Sequence, residues 1–176
     1  MGLLDLLRKL KKNDKEAKIL VLGLDNAGKT TILKAISGET VQNLPPTKGF
    51  NAKVIKKDSV KFTFWDVGGQ KALRSIWENY FEANDALIYV IDSSDTYRLE
   101  ESGKELRALL EENQLSGIPL LIYANKQDLN LSLSPEEIMN ELNLTNIINR
   151  KWTIVASSAI TKVGLNDGLE WLEKNL

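Results

Sequence analysis

The stretch AKILVLG (17–23) runs straight into GLDNAGKT (23–30), and this junction limits the fold more than anything else in the chain. Seven mostly apolar residues, several β-branched, read as a buried strand. Residues 29–37 have the composition of a helix, so only five residues are left to turn the chain between the two. Gly23 and Gly28 let that connection curl, so that the N–H groups of Asp25, Asn26, Ala27 and Gly28 and of the helix start (Lys29, Thr30, Thr31) converge on one point. A strand, a tight glycine turn and a helix in succession call for an α/β layer structure. The spacing G-x-x-x-x-G-K-[ST] makes the turn a candidate phosphate cradle, in which Lys29 adds a point charge and the Thr30 hydroxyl a ligand for Mg²⁺.

The remaining apolar runs agree with that class. ALIYVID (86–92) and IPLLIYAN (118–125) are continuous rather than alternating, as expected of central parallel strands covered on both faces. FNAKVIKKDSVKFTFWD (50–66) reads as two strands around an Asp58-Ser59 turn. In the second, Val60, Phe62 and Phe64 share one face and Lys61, Thr63 and Trp65 the other. Residues 97–113 have helical spacing, and Ser134, Pro135 and Glu137 open a further helix with an N-cap, a first-turn proline and an acidic first turn. WTIVASSA (152–159) supplies a last strand and 164–175 a closing helix, while NLPPT (43–47) is a loop stiffened by Pro45 and Pro46. The expected fold is a doubly wound, mostly parallel six-stranded sheet with helices on both faces, whose ligands bind beyond the C-terminal ends of the strands.

Composition removes several kinds of chemistry. The 176 residues contain neither Cys nor His, which excludes disulfides, thiol nucleophiles, Ser-His-Asp triads and histidine-based zinc sites. Catalysis must use carboxylates, amides, lysine, backbone groups or a metal held by oxygen. A formal net charge of −1 argues against broad nucleic-acid binding. No apolar run approaches the roughly 18 residues of a membrane span, and the N-terminus lacks a secretory pattern, so a cytoplasmic monomer is expected. One domain is expected over residues 17–176, preceded by a linker at 13–16 and a helix over 1–12.

Two further segments fall at strand ends. In NKQD (125–128), the Asp128 carboxylate is placed to accept from both the ring N–H and the exocyclic amine of guanine. Adenine lacks that donor pair, and a buried carboxylate left unpaired costs a few kcal/mol. The Lys126 stem is expected along the base, and Asn125 between the loops. The SSA segment (Ser157, Ser158, Ala159) is expected to offer a backbone N–H, that of Ser158, to the guanine oxygen. In WDVGGQ (65–70), Asp66 suits an indirect contact to Mg²⁺, Gly69 brings its N–H to a terminal phosphate and Gln70 orients an attacking water. Standing alone, that segment could equally be a glycine turn. Thr47 is expected to close the Mg²⁺ shell when a γ-phosphate is present.

The opening MGLLDLLRKLKK (1–12) is of another kind. Leu3, Leu6, Leu7 and Leu10 form one stripe of a helix with Leu4 at its edge, and Arg8, Lys9 and Lys12 lie opposite. Such a helix either packs permanently on the body or serves a membrane or partner.

GLDNAGKT, PPTKGFN, WDVGGQ and NKQD, in this order and spacing, resemble the Arf/Arf-like branch of the Ras-type small GTPases over essentially the whole chain. Within that branch the likeness is greatest to the subgroup of Arf-like proteins 2 and 3. The resemblance implies GTP and GDP as ligands with Mg²⁺, slow hydrolysis, and control by exchange factors and GTPase-activating proteins. It also implies an N-terminal helix that docks in the GDP form and is expelled when the 50–66 hairpin slides two residues. Such a slip keeps every inward side chain inward. An effector surface built from Phe50, Trp65 and Tyr80 is likewise implied, with local core packing as the alternative for those aromatics. Effectors of this kind include carriers of lipidated cargo and a tubulin-folding cofactor, with cytosolic, membrane, ciliary or microtubule-associated locations. Gly2 is the position for myristoylation, but Leu6 stands where the usual pattern has Ser or Thr, which argues against the modification. Without a lipid the helix supports only weak, reversible membrane contact. Other readings of the same residues are a catalytically silent guanine-nucleotide sensor and a P-loop nucleotide kinase. The latter would need an arginine-rich lid, whereas 130–151 holds Arg150 alone.

Overall fold

The computed structural model describes residues 2–4, 15–38, 47, 49–57 and 60–176. Strands β1 (Lys15–Gly23), β2 (Phe50–Lys57), β3 (Val60–Val67), β4 (Ala86–Asp92), β5 (Leu120–Asn125) and β6 (Trp152–Ala156) form one sheet in the order β2-β3-β1-β4-β5-β6. Only the β2–β3 pair is antiparallel; the other four pairings are parallel. Helices α1 (Lys29–Ile36) and α4 (Leu165–Asn175) cover one face. Helices α2 (Leu99–Leu110) and α3 (Pro135–Glu141), with a 3₁₀ segment over Lys71–Tyr80, cover the other. The expected doubly wound, six-stranded architecture is thus present.

Two hydrophobic layers result. Ile19, Val21, Phe62, Phe64, Ile88 and Val90 project to the α1/α4 side, and Leu20, Leu22, Leu87, Tyr89 and Ile91 to the α2/α3 side. Along β1 and β4 the two sets alternate, yet every member is buried, because helices close both faces. β3 behaves differently at its edge: Val60, Phe62 and Phe64 are buried while Lys61, Thr63 and Trp65 are half-buried, matching the alternation of the sequence. Ser134 caps α3 as expected, accepting from the Glu137 N–H at 3.1 Å while Glu137 accepts from the Ser134 N–H at 2.7 Å.

Three local differences stand out. β1 begins at Lys15, inside the stretch expected as linker, because Lys15 and Glu16 continue the parallel ladder opposite Val60 and Lys61. The helix expected over 97–113 is shorter, with a 3₁₀ turn at Thr96–Arg98 leading into α2. Residues 71–80, for which the sequence suggested no element, wind as a 3₁₀ segment that buries Trp77. The expected helix over 1–12, with Leu6, Leu7 and Leu10, falls outside the described residues save for Gly2, Leu3 and Leu4, whose side-chain or backbone surface is exposed. Pro45, Pro46 and the Asp58-Ser59 turn also fall outside them.

Phe64 is fully buried and stacks on Phe62 with ring centroids 5.7 Å apart. Truncating Phe64 to Ala should therefore lower unfolding free energy by about 3–5 kcal/mol in a denaturant titration, through lost burial and the cavity left behind.

Candidate functional site

The GLDNAGKT loop leaves the C-terminal end of β1, WDVGGQ that of β3, NKQD that of β5 and the SSA segment that of β6, while Thr47 lies ahead of β2. After β1 the chain turns through Leu24–Gly28 into α1. Asn26 and Gly28 take positive φ, and a Cβ on Gly28 would lie 2.3 Å from the Asn125 Nδ2. Only glycine fits there, since the loop must press against β5. In return the Asn125 amide donates to the Ala27 carbonyl at 3.0 Å, tying the first loop to the fifth strand.

Lys29 is buried and donates to the carbonyls of Gly23 (3.0 Å) and Leu24 (2.8 Å), so its ammonium sits within the curl of the loop. Burial pulls its pKa down to about 8 against the opposing pull of Asp66 and Asp25. Asp66, at the end of β3, is fully buried, and its carboxyl is pushed above the usual range by desolvation. The hydroxyl of Thr30 donates to Asp66 Oδ2 and lies 2.7 Å from that of Thr47. Asp66 Oδ1 is buried with no hydrogen-bond partner among the described residues.

Three oxygen-bearing side chains thus meet, one of them an acid with an unsatisfied atom. Hydroxyls and a single carboxylate suit Mg²⁺, which takes few protein ligands and completes its octahedron with phosphate and water. Among the described residues no cluster of three acidic side chains competes for that role.

The two segments flanking this point are held together. Gly68 N–H donates to the Gly49 carbonyl at 2.8 Å, and Trp77 Nε1 to the Gly68 carbonyl at 2.9 Å. Gly69 lies against the first loop so closely that a Cβ would come within 2.3 Å of the Gly23 carbonyl and 2.5 Å of the Asp25 nitrogen. Gln70 follows, half-buried, as the N-cap of the 3₁₀ segment.

On the other flank, Ser158 Oγ donates to Asp128 Oδ1 at 2.8 Å, and Lys126 pairs with Asp92 at 2.9 Å. Asn125 Oδ1 accepts from Ser157 Oγ and from the Ala159 N–H, both at 3.3 Å. The backbone donor expected of Ser158 is spent internally: its N–H bonds the Val163 carbonyl at 3.0 Å, because residues 158–163 fold back on themselves. Ser157 N–H likewise continues the sheet to Ala124, which leaves Ala159 with the longest backbone bond of the three.

Phe50, Trp65 and Tyr80 do meet, with centroids 5.4–6.2 Å apart, at the open edge of β2–β3. Lys18 Nζ covers the Trp65 ring at 5.5 Å. Phe50 remains half exposed, while Trp65 and Tyr80 are half-buried and pack against the core of the α2/α3 side.

Several residues here carried no sequence signal. Arg74, Arg98, Glu101 and Glu105 form a charged web against Asp25 and Gly69, and Asp92 holds Lys126. Their partners lie up to 73 residues away, and none belongs to a motif.

A curled loop with a buried lysine, a hydroxyl–carboxylate cluster beside it and Asn125 tying that loop to β5 define a P-loop nucleotide-binding protein. Comparison with known proteins narrows this. The model of the ADP-ribosylation factor family matches residues 3–176, and the chain belongs to that family. It is 54% identical to ADP-ribosylation factor-like protein 3 of Chlamydomonas reinhardtii, over all of this chain and 99% of that one. It is 49% identical to ADP-ribosylation factor-like protein 2 of Dictyostelium discoideum, over all of this chain and 96% of that one. Among solved structures it resembles the Arl6 BBS3 small GTPase of Trypanosoma brucei with bound nucleotide analogue GppNp, at a TM-score of 0.84 and 33% identity, over 91% of this chain and 96% of that one. The protein is accordingly an Arf-like small GTPase, an enzyme that binds guanine nucleotides and hydrolyses GTP. Among the described residues no helix is long and apolar enough to cross a membrane.

Gly69→Ala should separate the two flanks of the site, since no Cβ fits against the first loop. In single-turnover assays hydrolysis should fall by about tenfold or more, a loss on the scale of one preorganised donor, while GDP affinity stays near that of the parent.

Proposed function

We propose that residues 23–31 hold the phosphates, that Asp128 selects guanine, and that Gln70 orients the water that attacks the terminal phosphate. The observation that carries this reading is the convergence of Thr30, Thr47 and Asp66 beside Lys29, with Asp66 Oδ1 unsatisfied. Thr30 and Thr47 would ligate Mg²⁺ directly and Asp66 through water. The ion, when bound, neutralises charge on the phosphate oxygens. Lys29 shares that task from within the loop. The Gly69 N–H would meet a terminal phosphate, a reading supported by the close approach of Gly69 to the first loop. In-line attack then needs only a water held by the Gln70 amide, and no general base of unusual pKa.

Base recognition uses Asp128, steadied by Ser158, and the Lys126 stem, steadied by Asp92. The guanine oxygen is assigned to the Ala159 N–H, since Ser158 spends its own on Val163.

Thr47 on Thr30, and Gly69 on the first loop, describe a closed arrangement suited to GTP. In the GDP form the 50–66 hairpin would shift by two residues along β1 and free a groove for Leu3, Leu6, Leu7 and Leu10. Leu3 and Leu4 are exposed in the present arrangement, and the other leucines of the stripe lie outside the described residues. Exchange factors and GTPase-activating proteins would drive the cycle. Effectors such as carriers of lipidated cargo or a tubulin-folding cofactor would read Phe50, Trp65 and Tyr80, and the expelled helix would supply a weak, reversible membrane contact for cytosolic, ciliary or microtubule-associated pools. Gly2 is assigned no lipid.

Two measurements test this reading. Gln70→Leu should slow single-turnover hydrolysis by about a hundredfold, in the range of lost catalytic positioning, with GTP affinity retained; rapid turnover would remove Gln70 from its role. Amide exchange in residues 2–12 should be fast with a non-hydrolysable GTP analogue and slow with GDP, and equal protection in both states would rule out the helix switch.

A further inference from the structure

The phosphate loop contains an anion. Asp25 occupies its third position, and its backbone nitrogen is one of the loop atoms that Gly69 approaches, with the Gly23 carbonyl. On the reading of residues 23–31 as the phosphate cradle, on which this inference rests, that is the side where a γ-phosphate would lie. A free carboxylate there would repel the triphosphate it is meant to receive.

The structure shows how that charge is handled. Arg98, at the end of the 3₁₀ turn before α2, donates from Nη1 to Asp25 Oδ1 and from Nη2 to the Asp25 carbonyl, each at 2.7 Å. Its third nitrogen, Nε, is fixed by Asp95 Oδ2 at 2.9 Å, so the guanidinium is aimed before it meets the loop. A second cation stands behind: Arg74 Nη2 lies 3.8 Å from the same Asp25 oxygen. Arg74 is held by the Gly69 carbonyl at 2.9 Å, Glu101 at 2.6 Å and Glu105 at 3.2 Å, and its side chain is almost wholly buried. Asp25, Arg74 and Arg98 each influence the protonation of Lys29, which places all three charges within electrostatic reach of the phosphate position. A two-pronged grip on side chain and main chain does more than neutralise. It turns the carboxylate toward α2 and sets the direction of the loop's peptide groups.

We propose that Arg98, backed by Arg74, is a positioning residue for the triphosphate: it draws the Asp25 carboxylate out of the γ-phosphate subsite and thereby raises the affinity for GTP relative to that for GDP. Arg98 touches neither nucleotide nor water in this scheme and acts only through Asp25. GDP has no group at the affected position, so its binding should be nearly indifferent to the clamp.

The test is a displacement titration of nucleotide-free, full-length protein with GDP and with a non-hydrolysable GTP analogue, using the parent, Arg98→Ala, Asp25→Asn and the double variant. Arg98→Ala should weaken the GTP analogue by about tenfold or more, on the scale of a lost charge-assisted hydrogen bond, and GDP by less than about threefold. Adding Asp25→Asn should restore the GTP/GDP ratio to that of Asp25→Asn alone, because no charge is left to withdraw. Equal weakening of both nucleotides, or a double variant as impaired as Arg98→Ala, would overturn the proposal. Should Arg98→Ala fail to fold, Arg98→Gln serves instead: it removes the cation with less loss of volume and should weaken the GTP analogue more than GDP, and equal weakening of both nucleotides in a folded Gln variant would equally refute the clamp. Failure of the parent to bind either guanine nucleotide would instead remove the phosphate-loop reading itself, a result distinct from all of these.

Discussion

A carboxylate with no exposure sits at the end of β3, and the rest of the site is arranged around that expensive choice. Asp66 satisfies one oxygen with the Thr30 hydroxyl and leaves the other without a partner among the described residues. The nearby positive charge is Lys29, itself buried and held below its ordinary pKa. Two desolvated groups of opposite sign, neither fully compensated, are poor structural cement. They make sense as halves of a site whose remaining charges arrive with a ligand. The parallel ladder sets Asp66 of β3 opposite Val21 of β1, and in this register brings the carboxylate beside the first loop.

Among the described residues the contacts on either side of that pair are few. Thr47 reaches Thr30 from one flank and Gly69 reaches the first loop from the other, each through contacts a small displacement would break. β2 and β3 are joined to the sheet on one side only, so the hairpin can shift without disturbing β4, β5 and β6. The aromatic trio sits on this hairpin and on the 3₁₀ segment, so any change in register must alter the surface it offers. The base-recognition loops sit on β5 and after β6, away from the hairpin. On the proposed roles, recognition of the base and sensing of the phosphates would be physically separated.

How much of this could be read from the residues depended on range. Continuous apolar runs fixed β4 and β5 because strands covered on both faces tolerate little else, and the capping signals of Ser134 and Pro135 placed α3. The phosphate loop was legible since its residues are consecutive and each has its own chemical reason. Arg74 and Arg98 were not: their meaning lies in pairing with Asp25 across 49 and 73 positions, which no local pattern encodes. The internal bond of the Ser158 N–H was illegible for a related reason, since the turn that takes it up is closed by Val163, five residues on. The 3₁₀ segment over 71–80 gave no clear signal because its three-residue repeat matches neither the helical nor the strand period.

The central claim is that one pocket grasps a triphosphate and, through Asp128, requires that its base be guanine. Titrating nucleotide-free protein with Mg·GTP and Mg·ATP and measuring both affinities by calorimetry tests it most directly. The account predicts that GTP binds at least about a thousandfold more tightly than ATP, the discrimination expected when a wrong base leaves a carboxylate unpaired. Comparable affinity for the two nucleotides would contradict it.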